Sequence, residues 1–235
     1  MLEYLEWDSS FFKRKIGRIN LANESKYEIL SPLLYTARQE GYDLVYCIGK
    51  DDFFINENLL EEYNGTLVDQ KVIFSGSTLD ENMLSPLVEE YTDTSANENL
   101  IELTLLSGKY SRFRLDQHFT KEEFEHFYTI WLNNSLNRTI ADKIFVCRKD
   151  GSIVGFVTVK KEKGYGQIGL IAVDNNIQGL GLGKQLVSSV KKYLNDEAID
   201  RLEVVTQLKN ENACHFYRKC KLSEKTINNI YHFWI

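Results

Sequence analysis

The chain has 235 residues, enough for one large domain or two small ones, and with 43% hydrophobic residues it can bury a proper core. Its 28 basic against 34 acidic residues leave a net charge of −6, which argues against a broad nucleic-acid-binding surface. The four cysteines, Cys47, Cys147, Cys214 and Cys220, form no C-x-x-C pair and have no histidine at zinc spacing. They read as reduced thiols of a cytoplasmic protein without a metal site. The start, Met1 to Asp8, is acidic and lacks a signal-peptide pattern, and no apolar run reaches membrane-spanning length.

In chain order, the first 80 residues alternate strand-like and helix-like patterns. Tyr42 to Ile48 and Lys71 to Phe74 read as strands, and Lys26 to Glu40 and Asn56 to Tyr63 as helices. This predicts a small N-terminal α/β domain over residues 1–80 with no chemical motif. Its expected part is to shape an acceptor pocket or to make a homodimer contact. Ser75 to Met83 is polar and reads as a linker. A second domain over 84–235 follows. Ser95-x-x-Glu98 and Thr120-x-x-Glu123 read as capping boxes ahead of two helices. In the second helix Phe124, Phe127, Tyr128, Trp131 and Leu132 share one face.

Lys143 to Arg148 and Ser152 to Lys160 flank Asp150-Gly151, a strong hairpin signal. Gly164-Tyr165-Gly166 turns the chain into Gln167 to Val173, completing a three-strand meander. A helix with Leu186, Val187, Val190 and Leu194 inward comes next. A strand (Arg201 to Thr206), a helix (Asn210 to Lys221) and a last strand (Thr226 to Trp234) close the order. The fold class is α/β, an α+β arrangement with a mixed sheet.

The most informative stretch is Gln178-Gly179-Leu180-Gly181-Leu182-Gly183-Lys184, between the apolar run Ile168 to Val173 and a helix. A glycine turn that opens a helix presents unpaired N–H groups suited to phosphate. A Walker loop needs a glycine where Gln178 stands and a hydroxyl where Gln185 stands. The dinucleotide fingerprint needs its third glycine one residue later.

The spacing Gln178-x-x-Gly181-x-Gly183 resembles the acetyl-CoA pyrophosphate loop of the GNAT superfamily of N-acetyltransferases. Asn210-Glu211-Asn212-Ala213-Cys214-His215-Phe216-Tyr217-Arg218-Lys219 resembles that family's N-x-x-A-x-x-F/L-Y-x-K helix. The element order from residue 84 onward is also the family's. Ser111-Arg112-Phe113, Ile168-Gly169-Leu170, Thr206-Gln207-x-x-Asn210 and the aromatic start Trp7 to Phe12 resemble the TDP-fucosamine acetyltransferase family. That family acetylates the amine of a dTDP-linked 4-amino-4,6-dideoxy sugar. Two departures stand out: Lys221-Leu222 replaces a usual Gly-Phe, and Gln167 to Val173 holds no acid where many members carry a glutamate base.

The resemblance implies acetyl-CoA as cosubstrate and a nucleotide-linked amino sugar as the small-molecule acceptor. The backbone of Gln178, Gly179, Leu180, Gly181, Leu182, Gly183 and Lys184 would hold pyrophosphate. The pantetheine arm would lie beside Ile171, Ala172 and Val173 as an added strand, with Asn210 and Phe216 also on the cofactor. Leu170 or Ile171 N–H would steady the oxyanion. Tyr217 would protonate the leaving thiolate. Ser111, Arg112 and Gln207 would meet the acceptor, with Lys109 and Arg114 nearby. The residues themselves also allow plainer roles. Asn210 can be a helix cap, Lys184 a solvated lysine, and Ala213, Phe216, Tyr217 and Cys220 an ordinary buried helix face. His118, His126, His215 and His232 show no carboxylate partner, so the base stays open. A small amine, an antibiotic or a peptide as acceptor, and a non-catalytic acyl-CoA-binding module, are the alternative readings.

Overall fold

A computed structural model describes residues 1–21, 27–51, 53–79 and 87–235. The chain divides into two compact units. The first comprises Met1–Val72, Gln207–Lys209 and Thr226–Ile235, and the second Ile73–Thr206 and Asn210–Lys225. The division expected at residues 80–84, and the start of the first expected helix at Lys26, lie outside the described residues. Ser75 to Ser77 belong to a strand rather than a linker, and Thr78 is fully buried. Its N–H donates to the Asp200 carbonyl at 2.9 Å and its hydroxyl to the Ile199 carbonyl at 2.8 Å. Polar composition hid the strand because its side chains need only alternate in burial.

In chain order the elements are β1 (Leu2–Tyr4), α1 (Glu6–Phe12), β2 (Ile16–Asn20), α2 (Tyr27–Gln39), β3 (Leu44–Lys50), α3 (Glu57–Glu62) and β4 (Gly65–Ser77). Then come β5 (Val88–Glu90), α4 (Glu98–Ser107), α5 (Arg112–Leu115), α6 (Lys121–Leu136), β6 (Lys143–Lys149), β7 (Ser152–Glu162) and β8 (Tyr165–Val173). A 3-10 turn (Asn175–Ile177), α7 (Leu182–Asp196), β9 (Arg201–Gln207), α8 (Glu211–Lys219) and β10 (Ser223–Trp234) complete the chain. The α/β class with mixed strand directions is as expected. Among the described residues no helix is long and apolar enough to cross a membrane.

In the first unit β2 runs antiparallel to β1 and parallel to β3, and β10 runs antiparallel to β3 from Asn228↔Lys50 to Trp234↔Leu44. Leu44 to Cys47 are all buried, the signature of a central strand covered on both faces. Leu30 and Leu34 of α2 and Leu59 of α3 pack into the same core as Val45, Cys47 and Phe233.

In the second unit β5, β6, β7 and β8 form an antiparallel meander, and β9 joins β8 in parallel. The β6–β7 hairpin turns where Asp150 and Gly151 both take positive φ, 50° and 81°, as a tight primed turn requires. α4 packs against β7 and β8, and α7 against β6, β7 and β8. The Thr120 box forms in full: Glu123 N–H donates to Thr120 Oγ1 at 3.1 Å and Thr120 N–H to Glu123 Oε2 at 2.7 Å. The Ser95 box does not form. Asn97 caps α4 by accepting from Leu100 N–H at 2.9 Å. Asparagine is as good a cap as serine, and it stands one residue before the helix, where the geometry needs it. All four cysteines are buried and unbridged. Burial pushes the Cys147 thiol up to about 11 and raises Cys47 further, so neither is a ready nucleophile.

Candidate active site

The site begins where the ladder between β8 and β9 ends. Their pairs run Gly166↔Leu202, Gln167↔Glu203 and Ile168↔Val204. Among the described residues β9 pairs with nothing further along β8, while β7 stays paired up to Gly155↔Val173. Residues Gly169 to Val173 therefore have a ladder partner on one side only. The opening is a notch with strand edges ready for an amide-bearing chain.

A bulge marks its start. The β7–β8 register shifts between Val157↔Ile171 and Val159↔Ile168, so Gly169 and Leu170 together oppose Thr158. Leu170 N–H donates to Thr158 Oγ1 at 2.9 Å. That bond occupies one of the two amides expected to hold an oxyanion. Successive amides of a strand point to opposite edges, so Ile171 N–H faces the notch.

After β8 the chain tightens. Asp174 caps the 3-10 turn by accepting from Asn176 N–H at 2.9 Å. The Gln178 side chain turns back, donating to the Val173 carbonyl at 3.1 Å and to Asn175 Oδ1 at 3.0 Å. Gln178 thus ties the loop to the strand end through its side chain. Gly179 and Gly181 take φ of 86° and 78°, a region costly for residues with a Cβ. Gly181 is the N-cap of α7 and brings no side-chain bond; the first helical bond runs from Gln185 N–H to its carbonyl at 3.1 Å. The N–H groups of Leu182, Gly183 and Lys184 precede it and aim outward. Leu180 and Lys184 are exposed.

α8 converges on this loop. A carbon built on Gly183 would lie 3.1 Å from the Phe216 ring and 3.8 Å from Val173 Cγ2. Absence of a side chain at Gly183 is what lets β8, the loop and α8 meet. Asn210 caps α8, its Oδ1 accepting from Ala213 N–H at 3.2 Å, which leaves its Nδ2 donors for a ligand. Tyr217 is 3% exposed and packs on Phe74 at 5.5 Å. Burial raises its pKa, with Cys220 and Cys214 adding to the shift, so it holds its proton at neutral pH. Among the described residues its hydroxyl has no hydrogen-bond partner. The plain role as helix core holds as well: Cys214, Tyr217 and Cys220 share the buried face. Buried Lys191 of α7 donates to the Cys220 carbonyl at 2.9 Å and ties α7 to the end of α8.

On the acceptor side Ser111 stands at the N-cap of α5, buried, and among the described residues its hydroxyl has no partner. The Arg112 guanidinium lies 4.6 Å from the Phe113 ring centre. Rings link α5 to the bulge: Phe113 meets Phe127 at 4.6 Å, Phe127 meets Trp131 at 5.8 Å, and Trp131 Nε1 lies beside Gly169. Gln207 ends β9, is half-buried and falls in the first unit, whereas the other expected site residues fall in the second. A histidine–carboxylate pair does exist. His118 Nδ1 lies 2.8 Å from Asp116 Oδ1, which also accepts from His118 N–H at 3.0 Å. Asp116 is buried and His118 exposed. Its signal was the D-x-H spacing just after Arg112–Leu115.

Residues 109–221 match the sequence model of the acetyltransferase (GNAT) family. The matched region, just under half of the chain, is the part that resembles a GNAT acetyltransferase domain. Proteins of that family transfer acetyl groups from acetyl-CoA to amines. The chain is 25% identical over 150 residues to an uncharacterized N-acetyltransferase of Methanocaldococcus jannaschii, covering 60% of this chain and 64% of that protein. It therefore spans slightly less than two thirds of that relative. It is 23% identical over 241 residues to the spore coat polysaccharide biosynthesis protein SpsD of Bacillus subtilis, covering 97% of this chain and 81% of SpsD. The solved structure of a functionally unknown conserved protein from Staphylococcus epidermidis shares the fold, with a TM-score of 0.69 at 12% identity over 99% of this chain and 90% of that one.

Proposed function

We propose that this chain transfers the acetyl group of acetyl-CoA to the amine of a dTDP-linked 4-amino-4,6-dideoxy sugar, for surface polysaccharide synthesis. One observation carries the transfer chemistry. The β8–β9 ladder opens at Ile168↔Val204, and the phosphate-type loop and Tyr217's helix meet beside that opening. The polysaccharide role is supported by similarity to SpsD along nearly the whole chain, and the dTDP-sugar acceptor by the Ser111-Arg112-Phe113 resemblance. Arg112 is assigned to the acceptor diphosphate, since guanidinium binds phosphate through paired hydrogen bonds, and Ser111 to the acceptor beside it.

Each residue has a task in direct transfer. The N–H groups of Leu182, Gly183 and Lys184 hold pyrophosphate, aided by the α7 dipole. Ile171, Ala172 and Val173 hold the amide-rich arm as a strand edge. The neutral amine attacks the thioester carbon, a C–N bond forms, and the carbonyl electron pair moves to oxygen beside Ile171 N–H. As the carbonyl reforms, the C–S bond breaks and Tyr217 gives its proton to the sulfur, while the proton shed by the nitrogen passes to water, from which Tyr217 is reprotonated. The expected division into residues 1–80 and 84–235 belongs to the same proposal.

Mixing the protein with acetyl-CoA and a panel of dTDP-amino sugars is expected to release free thiol. Thymidine diphosphate alone is expected to raise the melting temperature. Turnover with simple amines or peptides but with no sugar in the panel would overturn the acceptor assignment.

A further inference from the structure

The bulge in β8 exposes a gap with two hydrogen-bond donors beside it. A carbon built on Gly169 would lie 3.0 Å from Thr158 Oγ1 and 3.7 Å from Trp131 Nε1. Gly169 is itself exposed. Any side chain at this position would fill it. Trp131 projects from α6, and its indole is fixed by Tyr128, stacked at 5.8 Å and 24°, and by Phe127, edge-on at 5.8 Å and 84°. Among the described residues nothing accepts from its Nε1–H. Thr158 is 1% exposed and its oxygen accepts from Leu170 N–H. Among the described residues no group accepts its hydroxyl proton.

The Trp131 indole N–H can only donate, and the Thr158 hydroxyl keeps a proton that can rotate to donate, so the gap suits an oxygen. A second amine or ammonium would bring N–H groups against the indole N–H, which accepts nothing. The position says which oxygen. Gly169 is two residues before Ile171, whose N–H faces the notch, and consecutive Cα atoms are about 3.8 Å apart. An oxygen seated at Gly169 therefore lies roughly 4–7 Å from a thioester carbonyl held at Ile171. That span suits an oxygen on the carbon next to the one that bears the attacking amine. We infer that Trp131 and Thr158, across the gap at Gly169, recognise a hydroxyl vicinal to the acceptor amine, so the substrate class is the vicinal amino alcohol. This rests on acetyl transfer at the β8 notch and does not require that the acceptor be a nucleotide sugar.

The test uses the full chain with acetyl-CoA and paired acceptors. One pair is a dTDP-4-amino-4,6-dideoxy hexose and its 3-deoxy counterpart; the other is 2-aminocyclohexanol and cyclohexylamine, for use if neither sugar turns over. Trp131→Phe keeps a ring in place and removes the indole N–H. It is expected to lower kcat/KM for the hydroxyl-bearing acceptor about tenfold, mainly through KM, with the Kd of CoA unchanged; for the deoxy partner the loss should be at most about twofold. Gly169→Ala fills the gap with the indole intact and should show the same selective loss. Equal losses on both acceptors of a pair, or none on either, would overturn the inference. A wild-type protein that binds no CoA in calorimetry would instead overturn acetyl transfer at the notch and the inference with it.

Discussion

The two sides of the notch are built in opposite ways. The donor side is mostly backbone: three glycines, the first amides of α7 and the unpaired edge of β8. The acceptor side is mostly side chains, brought by α5, α6, β7 and β8. Backbone recognition confines its information to one short window, because the atoms that bind belong to consecutive residues. Side-chain recognition scatters it, because Trp131, Thr158 and Gly169 meet only after the sheet and helices pack. The donor side therefore suits a cosubstrate shared by a whole family, and the acceptor side can change one residue at a time.

The sharpest way to break this comparison is on the donor side. Gly183→Leu would set a side chain against the Phe216 ring, forcing α8 from the loop. CoA affinity in calorimetry should fall at least about tenfold, equivalent to about 1.4 kcal/mol. An unchanged Kd would show that the loop does not need α8. A smaller effect should follow from Lys191→Met, which takes the charged donor from the Cys220 carbonyl. Denaturant unfolding should show a loss of about 1–3 kcal/mol, and kcat should fall more than CoA binding because the C-terminal end of Tyr217's helix loosens. Smallest is a pH effect. Burial, first, and then Cys220 and Cys214 hold the Tyr217 pKa above its ordinary value of 10.0. A raised folded-state value gives stability that is full below that ordinary value and is lost as pH climbs above it. The melting temperature should be flat from about pH 7 to 9 and fall above about pH 10, less steeply in Tyr217→Phe. An identical slope would remove Tyr217 from the titration.

Much of the fold was legible in sequence for local reasons. Asp150-Gly151 specifies its own turn, Thr120 and Glu123 close their own box, and Gly179 and Gly181 are needed where φ is positive. What escaped depends on distant partners. β10 pairs with β3 from the opposite end of the chain, and nothing in either segment encodes that register. Asn97 displaced Ser95 as a cap because both residue types cap well and only the helix start decides. The Asp116–His118 pair needs the turn after α5 to bring the two side chains together. Gly169 did leave a trace, since an isolated glycine within a strand often marks a bulge. Trp131 was legible as part of an apolar helix face, but its place and that of Thr158 beside Gly169 became visible only with the structure.

The central claim is that the notch beside β8 is a transfer site and that Tyr217 protonates the leaving thiolate. It is tested most directly by comparing wild type with Tyr217→Phe for thiol release under saturating acetyl-CoA and acceptor, alongside CoA affinity. The account predicts that kcat falls by about 10²–10⁴ while the Kd of CoA stays within about twofold. An unchanged kcat with intact CoA binding would contradict it.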